Sequence, residues 1–212
     1  MYEGVRQVFV PLVQKKIREV VGEEHLPSKP PFILSPNHIG FFDAPFLTVF
    51  VLKKYNLPLY APTVMHIVRA WGGQSIARRW MGMLPVRPEN PASVLDEAND
   101  LLRQNNIVAI FPEGSRNDDP NQLDKGKTGA VRLALMSGAP LIPVGLISNT
   151  GYKIWTGLYS LFRHDRYVKM VFGQPLDLSE YRGQPIDKPL LESAHRKLML
   201  AISALCGKVY NY

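Results

Sequence analysis

Apolar positions along this chain recur with two alternating periods, one of helices and one of strands. Val94, Leu95, Ala98, Leu101 and Leu102 fall at i, i+1, i+4, i+7 and i+8, which predicts a helix over 92–104 with one buried face. Residues 107–111 (IVAIF) form an unbroken apolar run instead, the pattern of a strand covered on both sides. The same reading predicts strands at 17–22, 32–36, 59–61, 83–86, 140–147 and 168–172. Helices are expected at 3–16, at 43–54, near 66–80, at 128–137 and at 189–205. The first carries Val5, Val8, Phe9, Leu12 and Val13 around Pro11; the last buries Leu190, Leu191, Ala194, Leu198, Ile202 and Leu205. Alternation of this kind predicts an α/β fold: a single domain with a central, mostly parallel or mixed β-sheet flanked by helices. Residues 1–21, an N-terminal amphipathic helix and first strand, form a candidate membrane contact ahead of the main domain at 22–212.

Charge adds a class of partner. The 25 Lys and Arg against 18 Asp and Glu give +7, which suits phosphate, a membrane surface or nucleic acid, or simply a basic protein with no charged partner. Cys206 is the only cysteine, so no disulfide forms within the chain, a multi-cysteine zinc site is excluded, and a reducing compartment fits. Apolar runs are too short for a membrane span, which needs roughly 18 residues. The run at 8–13 is interrupted by Pro11, and that at 44–52 ends at Lys53 and Lys54. Glu3 and the absence of a small-residue cleavage site also argue against a signal peptide.

Four short stretches carry candidate chemistry. PNHIGFFDAP (36–45) sets His38 and Asp43 among aromatics, where buried polar groups need partners or a job. One reading is a histidine bonded in a turn and an aspartate capping a helix. The other is a dyad in which Asp43 fixes the imidazole tautomer and His38 removes a proton from a substrate hydroxyl. GMLPVRP (82–88) puts Arg87 just past a strand, either as an ordinary exposed cation or as an anion ligand. FPEGSR (111–116) ends a buried strand with Glu113, Gly114, Ser115 and Arg116: a surface turn, or a loop whose Arg binds phosphate or carboxylate through two bonds. DKGKTG (124–129) lacks the first glycine of a nucleotide-binding P-loop, since Asn121 stands there. Lys125, Lys127 and the amides near Gly126 still make a candidate anion site.

Taken in order, His-x4-Asp, G-x-L-P-V-R, F-P-E-G-S-R and A-P-L-I-P-V (139–144), with G-x-P-L at 173–176, resemble the glycerolipid acyltransferase family that includes 1-acylglycerol-3-phosphate acyltransferases. The resemblance spans residues 22–176 and makes 22–212 the acyltransferase domain. It implies transfer of a fatty acyl group from a thioester, acyl-CoA or acyl-carrier protein, to a hydroxyl of a phosphate-bearing glycerolipid. The acceptor it points to first is 1-acylglycerol 3-phosphate (lysophosphatidic acid). Other acceptors in the family are glycerol 3-phosphate, a lysophospholipid or another polar lipid; a thioesterase and a non-catalytic lipid- or nucleic-acid-binding module are the rivals from outside it. His38 is then the general base and Asp43 its partner, with Arg87, Arg116 and Lys127 on the acceptor phosphate. Glu113, Gly114 and Ser115 shape the substrate loop, Glu113 orienting an Arg or an acceptor hydroxyl. No resident cofactor, metal or nucleic-acid partner is expected. Many members carry a Lys in a segment like F-V-A-K before the second block; here LYAPTV (59–64) has none, and Arg69, Arg78 and Arg79 are the cations near it.

A lipid acceptor requires a bilayer contact, so a peripheral protein on the cytoplasmic face of an anionic membrane is expected. Residues 152–167 (YKIWTGLYSLFRHDRY) mix Trp155, Tyr159 and Phe162 with Lys153, Arg163 and Arg166, the composition of an interfacial segment or of a loop packed on the sheet. The opening helix is the competing anchor.

Overall fold

Strand β2 (Phe32–Pro36) is buried at all five positions, because it lies between two neighbours and beneath helices on both faces. Its side chains alternate: Phe32 and Leu34 enter one apolar layer and Ile33 the other. The remaining strands are β1 (Ile17–Val21), β3 (Leu59–Val64), β4 (Met83–Val86), β5 (Ile107–Ala109), β6 (Leu141–Ser148) and β7 (Val168–Phe172). They form one sheet of order β1-β7-β6-β2-β5-β3-β4. Every pairing is parallel except β6 with β7, so the sheet is mixed. The computed structural model describes residues 7, 10–70 and 73–212.

Helices α1 (Asp43–Tyr55), α2 (Met65–Ala70), α3 (Gln74–Met81), α4 (Ser93–Arg103), α5 (Gly129–Ser137), α6 (Ile154–Leu161) and α7 (Lys188–Cys206) complete the fold. The layer on one face of the sheet joins Ile33 and Val108 to Val94 and Leu101 of α4, Val131 of α5, and Leu191, Leu198 and Ile202 of α7. On the other face, Phe46, Leu47 and Phe50 of α1 pack on Phe32, Leu34, Ile107 and Phe172. Phe46 and Leu47 are wholly buried, each burial contributing about 1.5–3 kcal/mol. Helix α7 starts where Asp187 accepts the Leu190 amide at 2.9 Å, and it ends at Gly207, whose φ is 73°.

Several boundaries differ from expectation. The stretch near 66–80 is two helices, the second opened by Gly73 at φ 94°, a value foreign to a continuous helix. Strand β5 stops at Ala109, two residues early. Strand β1 pairs with β7, which makes residues 17–21 an outer strand of the same sheet. Of the opening helix, residues 10–14 are helical, whereas Val5, Val8 and Phe9 lie outside the described residues. Among the described residues no helix is long and apolar enough to cross a membrane.

Because β2, β3, β4, β5 and β6 run in one direction, their C-terminal ends open on a single edge of the sheet. The loops after β2, β4, β5 and β6 therefore meet there, where open α/β sheets place their sites.

Candidate active site

The loop after β2 is organised by one carboxylate oxygen. Asp43, at the first turn of α1 and 0% exposed, uses Oδ2 to accept from the Ile39 amide at 2.7 Å, the Gly40 amide at 2.7 Å and His38 Nδ1 at 2.8 Å. It thus braces the loop that precedes the helix rather than capping the helix itself. A carboxylate only accepts, so its bond fixes the proton on Nδ1 and leaves Nε2 as the basic nitrogen. Asp43 Oδ1 is buried without a hydrogen-bond donor, so all of the carboxylate's hydrogen bonds run through Oδ2. The His38 ring lies against Phe111, with centroids 4.3 Å apart, and its side chain is 21% exposed. Anchorage from below comes from Asn37, which exchanges bonds of 2.6 and 3.0 Å with the Leu146 backbone of β6.

Glu113 ties a second loop to the first. It is 5% exposed: Oε1 accepts the His38 amide at 2.7 Å, while Oε2 accepts Asn117 Nδ2 and the Asp124 amide, each at 3.0 Å. The Asn117 amide in turn donates to the His38 carbonyl at 2.8 Å. Glu113 was expected to orient an Arg or an acceptor hydroxyl. In the structure it is an internal strut: both oxygens accept from protein donors, one on Oε1 and two on Oε2. The amides of the His38 loop are also spoken for, by Asp43 at residues 39 and 40 and by the Gly151 carbonyl at Phe41. An oxyanion donor has to come from another element.

Three of the expected cations reach this edge. Arg116 donates to the Tyr152 carbonyl at 2.8 Å and lies over the Phe41 and Tyr152 rings at 5.8 and 5.2 Å, which leaves most of its five N–H donors unused. Lys127 runs across Gly114: a Cβ there would approach its Cδ and Cε to 3.2 Å, and Gly114 also has φ 73°. The φ at 114 therefore favours glycine, and a Cβ there would push the Lys127 side chain by a few tenths of an ångström. Ser115 is exposed beside it. Arg87 is exposed in the tight turn after β4, where the Asn90 amide donates to its carbonyl at 3.2 Å. Strand β4 is three places from β2, about 14 Å along the sheet, so Arg87 marks the far wall. Among the described residues none of Arg87, Arg116 and Lys127 has an acidic partner. By contrast Arg78 is paired with Glu97, and Arg69 is exposed.

Sequence reasoning missed the supports. His195 Nε2 and the Tyr210 hydroxyl meet the Lys125 carbonyl at 2.8 and 2.9 Å, and a Cβ on Gly126 would touch the His195 ring at 2.9 Å. Burial lowers the His195 pKa below its ordinary value, so the ring is neutral, donates from Nε2 and holds the segment carrying Lys127. Nothing near these residues in sequence signals the pairing. Asn117 had a signal, a polar residue one step past FPEGSR. Cys206 is half-buried, and burial pushes its thiol up, away from nucleophile chemistry.

The sequence profile of the Acyltransferase family matches residues 17–147. The 1-acyl-sn-glycerol-3-phosphate acyltransferase of Bacillus subtilis is 29% identical over 168 residues, 79% of this chain and 77% of that protein. The enzyme of that name from Borreliella burgdorferi is 27% identical over 190 residues, 84% of this chain and 70% of the other. The chloroplastic LPAT1 of Arabidopsis thaliana is 29% identical over 161 residues, 74% of this chain but only 43% of its own length. The crystal structure of the 1-acyl-sn-glycerophosphate acyltransferase PlsC from Thermotoga maritima superposes with a TM-score of 0.58 at 18% identity, covering 97% of this chain and 81% of that one. That likeness is one of fold, whereas the profile covers more than half of the sequence, including His38, Asp43 and the FPEGSR loop, and this chain belongs to the acyltransferase family.

Proposed function

We propose that the protein transfers a fatty acyl group from a thioester, acyl-CoA or acyl-carrier protein, to the free hydroxyl of 1-acylglycerol 3-phosphate, giving phosphatidic acid. The observation that carries this reading is a histidine whose Nδ1 is held by a buried carboxylate, at the sheet edge to which the loops carrying Arg87, Arg116 and Lys127 also lead. The names of the relatives support the choice of acceptor. A thioester is already activated, so the chain needs no nucleophile of its own. His38 Nε2 takes the acceptor proton as the hydroxyl attacks the thioester carbonyl, and Asp43 stabilises the imidazolium. The tetrahedral intermediate then collapses, and the thiolate leaves with the proton returned from His38. Such general-base help contributes about 10²–10⁴-fold. Arg116 and Lys127 hold the acceptor phosphate, with Arg87 closing the far side, and the enzyme works as a peripheral protein at the cytoplasmic membrane surface.

The test follows thiol release from one acyl-CoA against a panel of acceptors. Lysophosphatidic acid is expected to give the highest rate, and His38→Ala to lower it by about 10²–10⁴-fold while the protein remains folded, with a cooperative thermal melt. Near-normal activity in folded His38→Ala protein defeats the mechanism. Thiol release independent of any acceptor reassigns the chain as a thioesterase, and preference for glycerol 3-phosphate or a neutral lysophospholipid reassigns the acceptor.

A further inference from the structure

Helix α6 presents apolar side chains where a surface helix normally presents polar ones. Trp155 is 78% exposed, Phe162 74% and Tyr159 60%, with Ile154 and Leu158 exposed beside them. The helix itself, IWTGLYSL, contains no charged residue. Its inner side is ordinary: Gly157, Ser160 and Leu161 are buried. A Cβ on Gly157 would lie 2.9 Å from the Phe42 ring and 3.3 Å from Phe41 Cβ. The helix therefore rests on the loop that carries His38 and Asp43, and the Tyr152 carbonyl just before it holds Arg116.

The rim of this face is cationic. Lys153 is exposed at the start of α6, and Arg163 follows its end. Arg166 donates to the Asn149 carbonyl at 2.6 Å, and Arg18 stacks on Tyr167 at 4.2 Å. One acidic group, Asp165, pairs with Arg163 and Arg166, which leaves a net positive border. Lys16 Nζ also donates to the Arg163 carbonyl at 2.6 Å, so the chain leaving the helical residues 10–14 arrives at the end of α6. Lys16, at the end of one of the two segments that compete as anchors in the sequence, thus meets the other.

We infer that the outward face of α6 docks on an anionic phospholipid bilayer, with Trp155, Tyr159 and Phe162 in the headgroup region and the bordering cations on lipid phosphates. The inference rests on the lipid-acyltransfer reading, since it brings the His38 loop to the surface in which such an acceptor resides. A second copy of the chain is the other occupant to weigh. A two-fold contact sets this net positive patch against a copy of itself, so both sides carry the same sign of charge. Bilayer phosphates neutralise these cations, and charge complementarity decides for the membrane.

The experiment is flotation of the full chain with phosphatidylcholine vesicles, with and without phosphatidylglycerol. Wild type is expected to float with the anionic vesicles and to be released by salt. Trp155→Ser/Phe162→Ser is expected to lower that partition by at least about tenfold, as is Lys153→Glu to a smaller extent. Both variants should keep the wild-type melt and wild-type turnover of a short-chain, water-soluble lysophosphatidic acid. Unchanged flotation of the double variant overturns the inference. So does an equal loss of turnover on the soluble acceptor, because the face then serves the substrate pocket. Light scattering that finds a lipid-free dimer in wild type and a monomer in the double variant overturns it in favour of a second copy. Wild type that floats, loses flotation in the variants and acylates no lipid acceptor supports the docking face and sinks the functional assignment instead.

Discussion

Glu113→Gln separates a strut from a substrate ligand more cleanly than any other substitution in this site. The carboxylate accepts from three donors on two sides: the His38 amide on Oε1, and Asn117 Nδ2 and the Asp124 amide on Oε2. A glutamine keeps the volume but accepts on one side only. Its less costly orientation keeps two donors satisfied and turns its NH2 toward the His38 amide, leaving a buried N–H facing another. Losing a charge-assisted bond and stranding that donor costs about 2–4 kcal/mol. For a chain of this size the melting temperature should fall by about 4–16 °C. The His38 backbone loses its tether at the same moment, so kcat should fall by about 10–100-fold, while KM for acceptor and donor changes less than about threefold. Differential scanning fluorimetry and initial rates with both substrates varied supply the readouts. A wild-type melt with acceptor KM alone raised refutes the strut and restores Glu113 as a contact to the acceptor.

The cations predict a different pattern. Arg87→Ala should leave the melt unchanged, since among the described residues its guanidinium has no acidic partner, and should raise acceptor KM by about 10–100-fold, the equivalent of a charge-assisted bond. Arg116→Ala should do the same and also lower the melt, because the bond to the Tyr152 carbonyl is lost; if both raise only the donor KM, they serve phosphates of the thioester donor. Gly114→Ala should destabilise by about 1–2 kcal/mol at φ 73°, and should raise acceptor KM by displacing Lys127, which a steady-state titration against wild type would detect. His195 has a folded-state pKa below its ordinary 6.5, so the unfolded chain binds the extra proton and stability falls as pH drops below about 6.5. Urea midpoints across that range should slope less in His195→Gln, and an unchanged slope removes His195 as the cause.

Much of the fold was legible because burial leaves a periodic trace. The i, i+4 face of α4, the run ending β5 and the closing face of α7 are each required by the layer they enter. Antiparallel pairing of β7 with β6 left no such trace, since buried strands read the same in either direction. Helix α6 was concealed for another reason. Its apolar residues do repeat at helical spacing, at 154, 155, 158, 159 and 162, but they face outward, and Thr156 and Gly157 are poor helix formers. Pattern reading assumes that apolar means inward, and here that assumption fails over a continuous surface beside the site.

The residues of the site were easier to find than their roles. Types and spacing single out His38, Asp43, Glu113 and Arg116, because few side chains suit acid–base or anion chemistry. A role, however, depends on which donors surround each group. Glu113 and Arg116 stand three apart in one loop and carry opposite charges, so local reasoning pairs them or sends both to substrate. Folding instead puts Glu113 against an amide 75 residues away, on the neighbouring strand's loop. Asp43 shows the reverse: its partners, His38, Ile39 and Gly40, lie within five residues, so its spacing already contained its geometry. A buried carboxylate is readable from sequence when its donors are local, and must be assigned from the fold when they arrive from another strand.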